Sequence, residues 1–175
     1  AQWIYECVDG ELRQEAAAAV AEMPVDWALV PVGGRRKKLL VADMDSTIIN
    51  VECLDELADF AGIKAEIASI TERAMRGELE FEPALRERVS DDGATLTGAV
   101  QEPILGRKAK LEAMRAEAAA LRINDKDVLA IGDGANDLDM IKAAGLGIAY
   151  RAKPLVAAEA DAKVDYMNLE AALFF

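Results

Sequence analysis

Two acids, Asp43 and Asp45, directly follow the apolar run Leu39-Leu40-Val41-Ala42. A short, nearly continuous apolar run of this kind reads as a strand buried on both faces. In an open α/β sheet, ligands bind just beyond the carboxyl ends of the strands. Residues i and i+2 of an extended chain point the same way, so both acids are expected to face that crevice. Two close carboxylates repel unless one stays protonated or a cation lies between them. A Mg²⁺ held by oxygen ligands removes the conflict. One carboxylate could then attack phosphorus while the other moves a proton. The plain alternative is a turn or helix cap, which Asp45-Ser46-Thr47 also favours.

A second cluster weighs against that alternative. Gly132-Asp133-Gly134-Ala135-Asn136-Asp137 follows Val128-Leu129-Ala130-Ile131 and again puts an acid at a strand end. A glycine there lets the backbone come close to a ligand. Asp133 is a candidate third metal ligand, and Asn136 and Asp137 are candidates to hold metal waters or orient the inner ligands. Lys110 stands near the start of a helical stretch after Gly106-Arg107, where a cation could neutralise an attacked phosphoryl group. On its own it would read as a solvated lysine.

Composition narrows the chemistry. The sequence has no histidine, which removes Ser-His, Cys-His and His-metal mechanisms together. The 32 Asp and Glu leave carboxylate and hard-metal chemistry as the natural choice. A net charge of −12 argues against nucleic-acid binding. No apolar run is long enough to span a bilayer and no leader pattern opens the chain, so a cytoplasmic, membrane-free protein is expected. Cys7 and Cys53 lie far apart and are read as small buried or half-buried hydrophobes.

The elements that must carry these residues alternate. Residues 1–32 read as strand, helix, strand, and a basic run from Arg35 to Lys38 reads as a solvated linker. Helices are expected over 52–62, stopped by Gly62, over 64–76 and over 82–89. Asp92-Gly93 suggests a hairpin turn. A helix over 108–121, the strand 128–133, a helix over 138–145, the strand 146–150, a helix opened by Pro154 and the strand 162–166 complete the pattern. The expected fold is α/β, with a doubly wound, mostly parallel sheet covered on both faces.

KLLVADMDSTIINVECLDELADFAG, FEPALRERVS, EPILGRKAK and AIGDGANDLDMIKAAGLGIAYRAKP resemble the haloacid dehalogenase superfamily, and within it the phosphoserine phosphatases. The combination of DxDST with GDGAND is specific, and the resemblance runs from Lys38 to Phe175. It implies hydrolysis of O-phospho-L-serine, in serine biosynthesis, with Mg²⁺ as cofactor. Asp43 would form an aspartyl-phosphate, and Asp45 would protonate the leaving oxygen and then activate water. Asp43, the backbone carbonyl of Asp45, and Asp133 would hold Mg²⁺. Lys110 would steady the phosphoryl group. Glu52, Phe81 and Arg88 would contact the amino-acid end of the substrate. Residues 1–37 would be an accessory segment and linker, and 38–175 the phosphatase core, with a small helical cap at about 50–90. A homodimer stays open.

The resemblance also implies a Ser or Thr hydroxyl at the end of a further apolar strand, followed by Gly-Gly. Ser90 is followed at once by Asp91-Asp92-Gly93, so that motif is missing and Ser90 is not nominated for it. Without the segment, LLVAD would lose a sheet neighbour and expose unpaired backbone at an edge. A working polypeptide longer by several tens of residues is therefore expected. Asp139 and Arg151 stand where relatives are expected to carry Pro and His. The rival readings are the same chemistry on another small phosphomonoester, phosphoryl transfer to another alcohol, or a non-catalytic regulatory module on this fold.

Overall fold

The computed structural model describes residues 10–89 and 104–175. The expected strand near residue 4, Cys7, Ser90 and the hairpin at Asp92-Gly93 lie outside the described residues. Seven helices and five strands are described: α1 (Gly10–Val20), β1 (Trp27–Ala28), β2 (Leu39–Ala42), α2 (Cys53–Ala61), α3 (Lys64–Met75), α4 (Phe81–Arg88), α5 (Arg107–Ala120), β3 (Val128–Gly132), α6 (Leu138–Ala143), β4 (Leu146–Tyr150), α7 (Pro154–Glu159) and β5 (Ala162–Val164).

The sheet runs β1-β5-β4-β3-β2. Strands β2 to β5 are parallel, and β1 pairs antiparallel with β5, Trp27 opposite Lys163. Each residue of β3 and β4 is buried, as expected of apolar strands covered on both faces. Leu129, Ile131, Ile148 and Val164 form one face's core, and Val128 and Ala130 pack with Met114 of α5 and Met140 of α6 on the other. The expected strand over 27–32 shortens to two residues; Pro31, which has no N–H to give a ladder, stands four residues in.

β2 departs from expectation. It pairs only with β3 among the described residues and forms the sheet's edge. Leu40 is 59% exposed, so the apolar run is not buried on both faces. The 175-residue chain passes directly from Ser90 to Asp91.

Helices α2, α3 and α4 pack on one another through Ala58, Ile67, Ile70 and Ala84. Gly62 ends α2 with φ +75, a left-handed conformation that glycine adopts without a Cβ penalty. Lys153, just before α7, reaches Glu72 of α3 at 2.7 Å and ties this helical group to the sheet layer.

Candidate active site

Asp43 sits one residue past β2, and its N–H donates to Ile131 O at 2.9 Å, which fixes it beside the end of β3. The next residues do not stay extended. Met44–Ile48 make a tight turn in which Ser46 takes φ +55, an uncommon conformation for a side-chain-bearing residue. Two contacts hold it there: Ser46 N–H donates to Val51 O at 3.2 Å, and Ser46 Oγ donates to Glu52 Oε1 at 2.6 Å. The turn sends Thr47 inward, where its hydroxyl, 1% exposed, donates to Asp133 Oδ1 at 3.0 Å. The loops after β2 and β3 are thereby joined side chain to side chain.

The second loop is organised by Asp137, which is fully buried. One oxygen accepts from the N–H groups of Asp133 and Gly134 at 3.2 Å each. The other accepts from Lys110 at 2.6 Å, and Lys110 also donates to Asp43 at 2.6 Å. Gly132 is required beneath this arrangement, because a Cβ there would collide with the Asp137 carboxylate. Lys110 projects from the first turn of α5, so α5 and the two strand-end loops meet at one ammonium group.

Oxygens of Asp43, Asp133 and Asp137 lie within 4.8 Å of one another. Burial, and then the neighbouring Asp137 charge, push the Asp133 carboxyl up to about 7, against the opposing hydrogen bond from Thr47. Burial likewise raises Asp137, with Lys110 opposing. Burial alone would lower Lys110, but the Asp137 and Asp43 carboxylates outweigh it and raise it. Three carboxylates against one ammonium leave negative charge in excess in a poorly hydrated place. That donor set suits a hard divalent cation.

The Asp45 carboxylate stands outside this triad. It accepts from Cys53 N–H at 3.0 Å and from the Cys53 thiol at 3.1 Å. Cys53 is exposed rather than buried, a correction to the sequence expectation: it opens α2, and its place is set by the acid it bonds. The Asp45 bond first, then a small desolvation effect, raises the thiol's pKa.

A cavity of about 350 Å³ lies between the strand ends and the helical group. Asp43, Asp45, Glu52, Phe81, Arg88, Lys110 and Asn136 all line it, so the candidates converge from five separate segments. Asp133 and Asp137, both buried, are not part of its lining. Arg88 is 7% exposed and makes no ion pair among the described residues. It donates to Thr71 Oγ1 and Ala84 O, both at 3.3 Å, and Thr71 donates in turn to Asp55 at 2.8 Å. Burial lowers the Arg88 pKa, partly offset by Glu52 and Asp55. Burial also raises Glu52, against its bond from Ser46. Phe81 packs beside Gly106 at the start of α5.

Sequence reasoning gave no role to Thr47, Thr71, Asp55 or Arg107. Thr47 was within reach, since it belongs to the DxDST segment itself. The others carry no local signal: Arg107 lines the cavity and pairs with Asp139, 32 residues away.

The sequence profile of haloacid dehalogenase-like hydrolases matches residues 104–172. A probable phosphoserine phosphatase of Schizosaccharomyces pombe is 34% identical over 207 residues, covering 79% of this chain and 70% of its own length. The chain belongs to the phosphoserine phosphatase family of haloacid dehalogenase-like hydrolases. A phosphoserine phosphatase of Methanocaldococcus jannaschii is 31% identical over 201 residues, with 77% of this chain and 95% of that protein covered. A solved structure described as a phospho-aspartyl intermediate analogue of phosphoserine phosphatase superposes with a TM-score of 0.72 at 30% identity, covering 79% of this chain and 98% of its own. For the S. pombe relative, 79% of 175 residues is 138, against 207 aligned positions. The matched span of that relative thus includes positions that this sequence does not carry.

Proposed function

We propose that this protein hydrolyses O-phospho-L-serine to L-serine and phosphate through an aspartyl-phosphate on Asp43. The observation that carries the reading is one cavity lined by two separate anion-binding groups. One is Lys110, 2.6 Å from Asp43; the other is the buried guanidinium of Arg88. A phosphate monoester fits the first, and a carboxylate fits the fork of the second.

Asp43 attacks phosphorus as the bond to the serine oxygen breaks, and Asp45 delivers a proton to that oxygen. Asp45 then takes a proton from the water that attacks the acyl phosphate, which frees phosphate and restores Asp43. Lys110 balances charge on the phosphoryl oxygens throughout. Arg88 holds the serine carboxylate and Glu52 its ammonium. Phe81 and Asn136 close the sides of the cavity, and α2 to α4 act as the cap, within residues 38–175 as the reacting unit. Asp43, Asp133 and the Asp45 carbonyl would hold Mg²⁺, with Asp137 orienting them; bound there, the cation supplies Lewis-acid neutralisation of the phosphate.

The test is phosphate release from L-phosphoserine, with and without Mg²⁺, beside a panel of other phosphomonoesters. Strong Mg²⁺-dependent release with preference for phosphoserine is expected. Asp43→Asn should reduce turnover by about 10³-fold or more while far-ultraviolet circular dichroism is unchanged. A folded Asp43→Asn protein that still turns over would remove Asp43 as nucleophile. A folded, metal-bound wild type that ignores phosphoserine but cleaves another ester would remove the substrate assignment.

A further inference from the structure

We propose that Cys53 is the positioning residue for Asp45: its thiol and its backbone N–H together hold both carboxylate oxygens in the plane from which Asp45 delivers a proton. This rests on the reading of Asp45 as proton donor given above, and it adds what aims that carboxylate.

Cys53 N–H donates to Asp45 Oδ2 at 3.0 Å, and the Cys53 thiol donates to Asp45 Oδ1 at 3.1 Å. These are the carboxylate's two hydrogen bonds among the described residues, and both come from one residue. The torsion that turns an Asp carboxylate about its Cβ–Cγ bond is broad, so the side chain does not set it alone. One N–H contact holds one oxygen and lets the other turn about it. The thiol holds the second oxygen and so fixes the plane. Each oxygen accepts through one of its two lone-pair positions and keeps the other. Asp45 lines the cavity and Cys53 does not, so the clamp takes no space from the substrate.

The local fold brings the two residues together. Ser46 N–H donates to Val51 O at 3.2 Å, and Ser46 Oγ donates to Glu52 Oε1 at 2.6 Å. Residues 45 and 46 are thus joined to 51, 52 and 53, and Asp45 arrives at the first residue of α2. Glu52, just before α2, caps no N–H with its own side chain. The Asp45 carboxylate takes that place from eight residues away, at the helix end that favours negative charge. The first helix of the cap therefore holds the group that moves the proton.

Proton transfer requires the donor to be aimed at the acceptor within hydrogen-bond reach. A carboxylate that swings should lose rate only where a proton is needed. An alkyl phosphate such as phosphoserine needs its leaving oxygen protonated, whereas p-nitrophenolate is a stable anion and leaves without a proton.

kcat/KM for these two esters tests the proposal. Cys53→Ala keeps the N–H and removes the thiol. It should lower kcat/KM for phosphoserine by about 3- to 10-fold, the range for one weak donor on a carboxylate, and for p-nitrophenyl phosphate by no more than about 1.5-fold. Cys53→Ser returns a donor and should bring phosphoserine kcat/KM to within about twofold of wild type. Thermal midpoints of both variants should match the wild type, because the side chain is exposed. Equal losses on the two esters overturn the proposal, since the thiol would then support the cavity rather than the proton. So does an undiminished Cys53→Ala, or a Cys53→Ser that fails to recover. The substrate assignment is read separately, from the wild type alone. Where the wild type prefers another alkyl phosphate, that assignment falls and the comparison of variants is made on that ester. A wild type that cleaves no alkyl phosphate overturns both.

Discussion

Asp133 shows how a single buried carboxylate can make stability depend on both pH and metal. Its carboxyl is raised to about 7 from 3.8 by burial and then by Asp137. In the metal-free protein the folded state therefore binds the proton more tightly than the unfolded chain does. Between those two values the folded state holds more protons, so stability must fall as pH rises from about 4 to 7. A tenfold difference in proton affinity between the two states is worth ~1.4 kcal/mol. Thermal midpoints of chelator-treated protein should decline across that window. Asp133→Asn should flatten the decline, and so should added Mg²⁺, which favours the ionised form. An unchanged slope in Asp133→Asn would show that the pH dependence arises elsewhere. Asp43, Asp133 and Lys110 could be picked from sequence because each stands at a strand end or helix start with a specific neighbour pattern. The Asp45 carboxylate was less predictable. Asp43 and Asp45 both line the cavity, as the i and i+2 rule expects, but in the turn over Met44–Ile48 the Asp45 carboxylate meets Cys53 while Asp137 completes the triad.

Among the elements, α2, α3 and α4 each contribute one member of the chain Asp55, Thr71, Arg88. None of the three is near another in sequence, and periodicity marks helices without saying which side chains will meet. The boundaries themselves were well marked: Gly62 ends α2 and Pro154 opens α7, each within one residue of expectation. Arg88→Ala should raise KM for phosphoserine by about 10- to 100-fold, the range of ~1.5–3 kcal/mol for a charged hydrogen bond, and barely affect an ester without a carboxylate. Thr71→Val should have a smaller effect in the same direction, since the guanidinium stays but loses its guide. Equal losses on both esters would mean that Arg88 supports the fold rather than the substrate. The reach of β2 was the element misjudged. Four apolar residues look alike whether a strand is central or at an edge, and only the missing neighbour decides.

For the molecule as a whole, the parallel order β5-β4-β3-β2 was legible as alternation, and the buried core of β3 and β4 follows from their unbroken apolar runs. The contribution of β1, paired to the far edge through two residues, was not, because so short a strand is defined by its partner. Lys153 ties the helical group to the sheet layer through Glu72, and Arg107 ties α5 to α6 through Asp139. Ion pairs as exposed as these contribute about 0–1 kcal/mol each, so apolar contact carries most of the docking.

The position of β2, which carries Asp43 past its end and stands at the margin of the sheet among the described residues, also sets an order of events in time. β3 can release its neighbours only by dismantling the interior, whereas β2 can peel from one side. Local opening of that kind costs less than global unfolding. Amide hydrogens of Leu39–Ala42 should exchange with deuterium well before those of Val128–Gly132. On gradual heating, turnover should then fade below the temperature of cooperative melting, as Asp43 swings away from Lys110 in molecules that are otherwise native. Uniform exchange across both strands would mean that the sheet opens only as one piece.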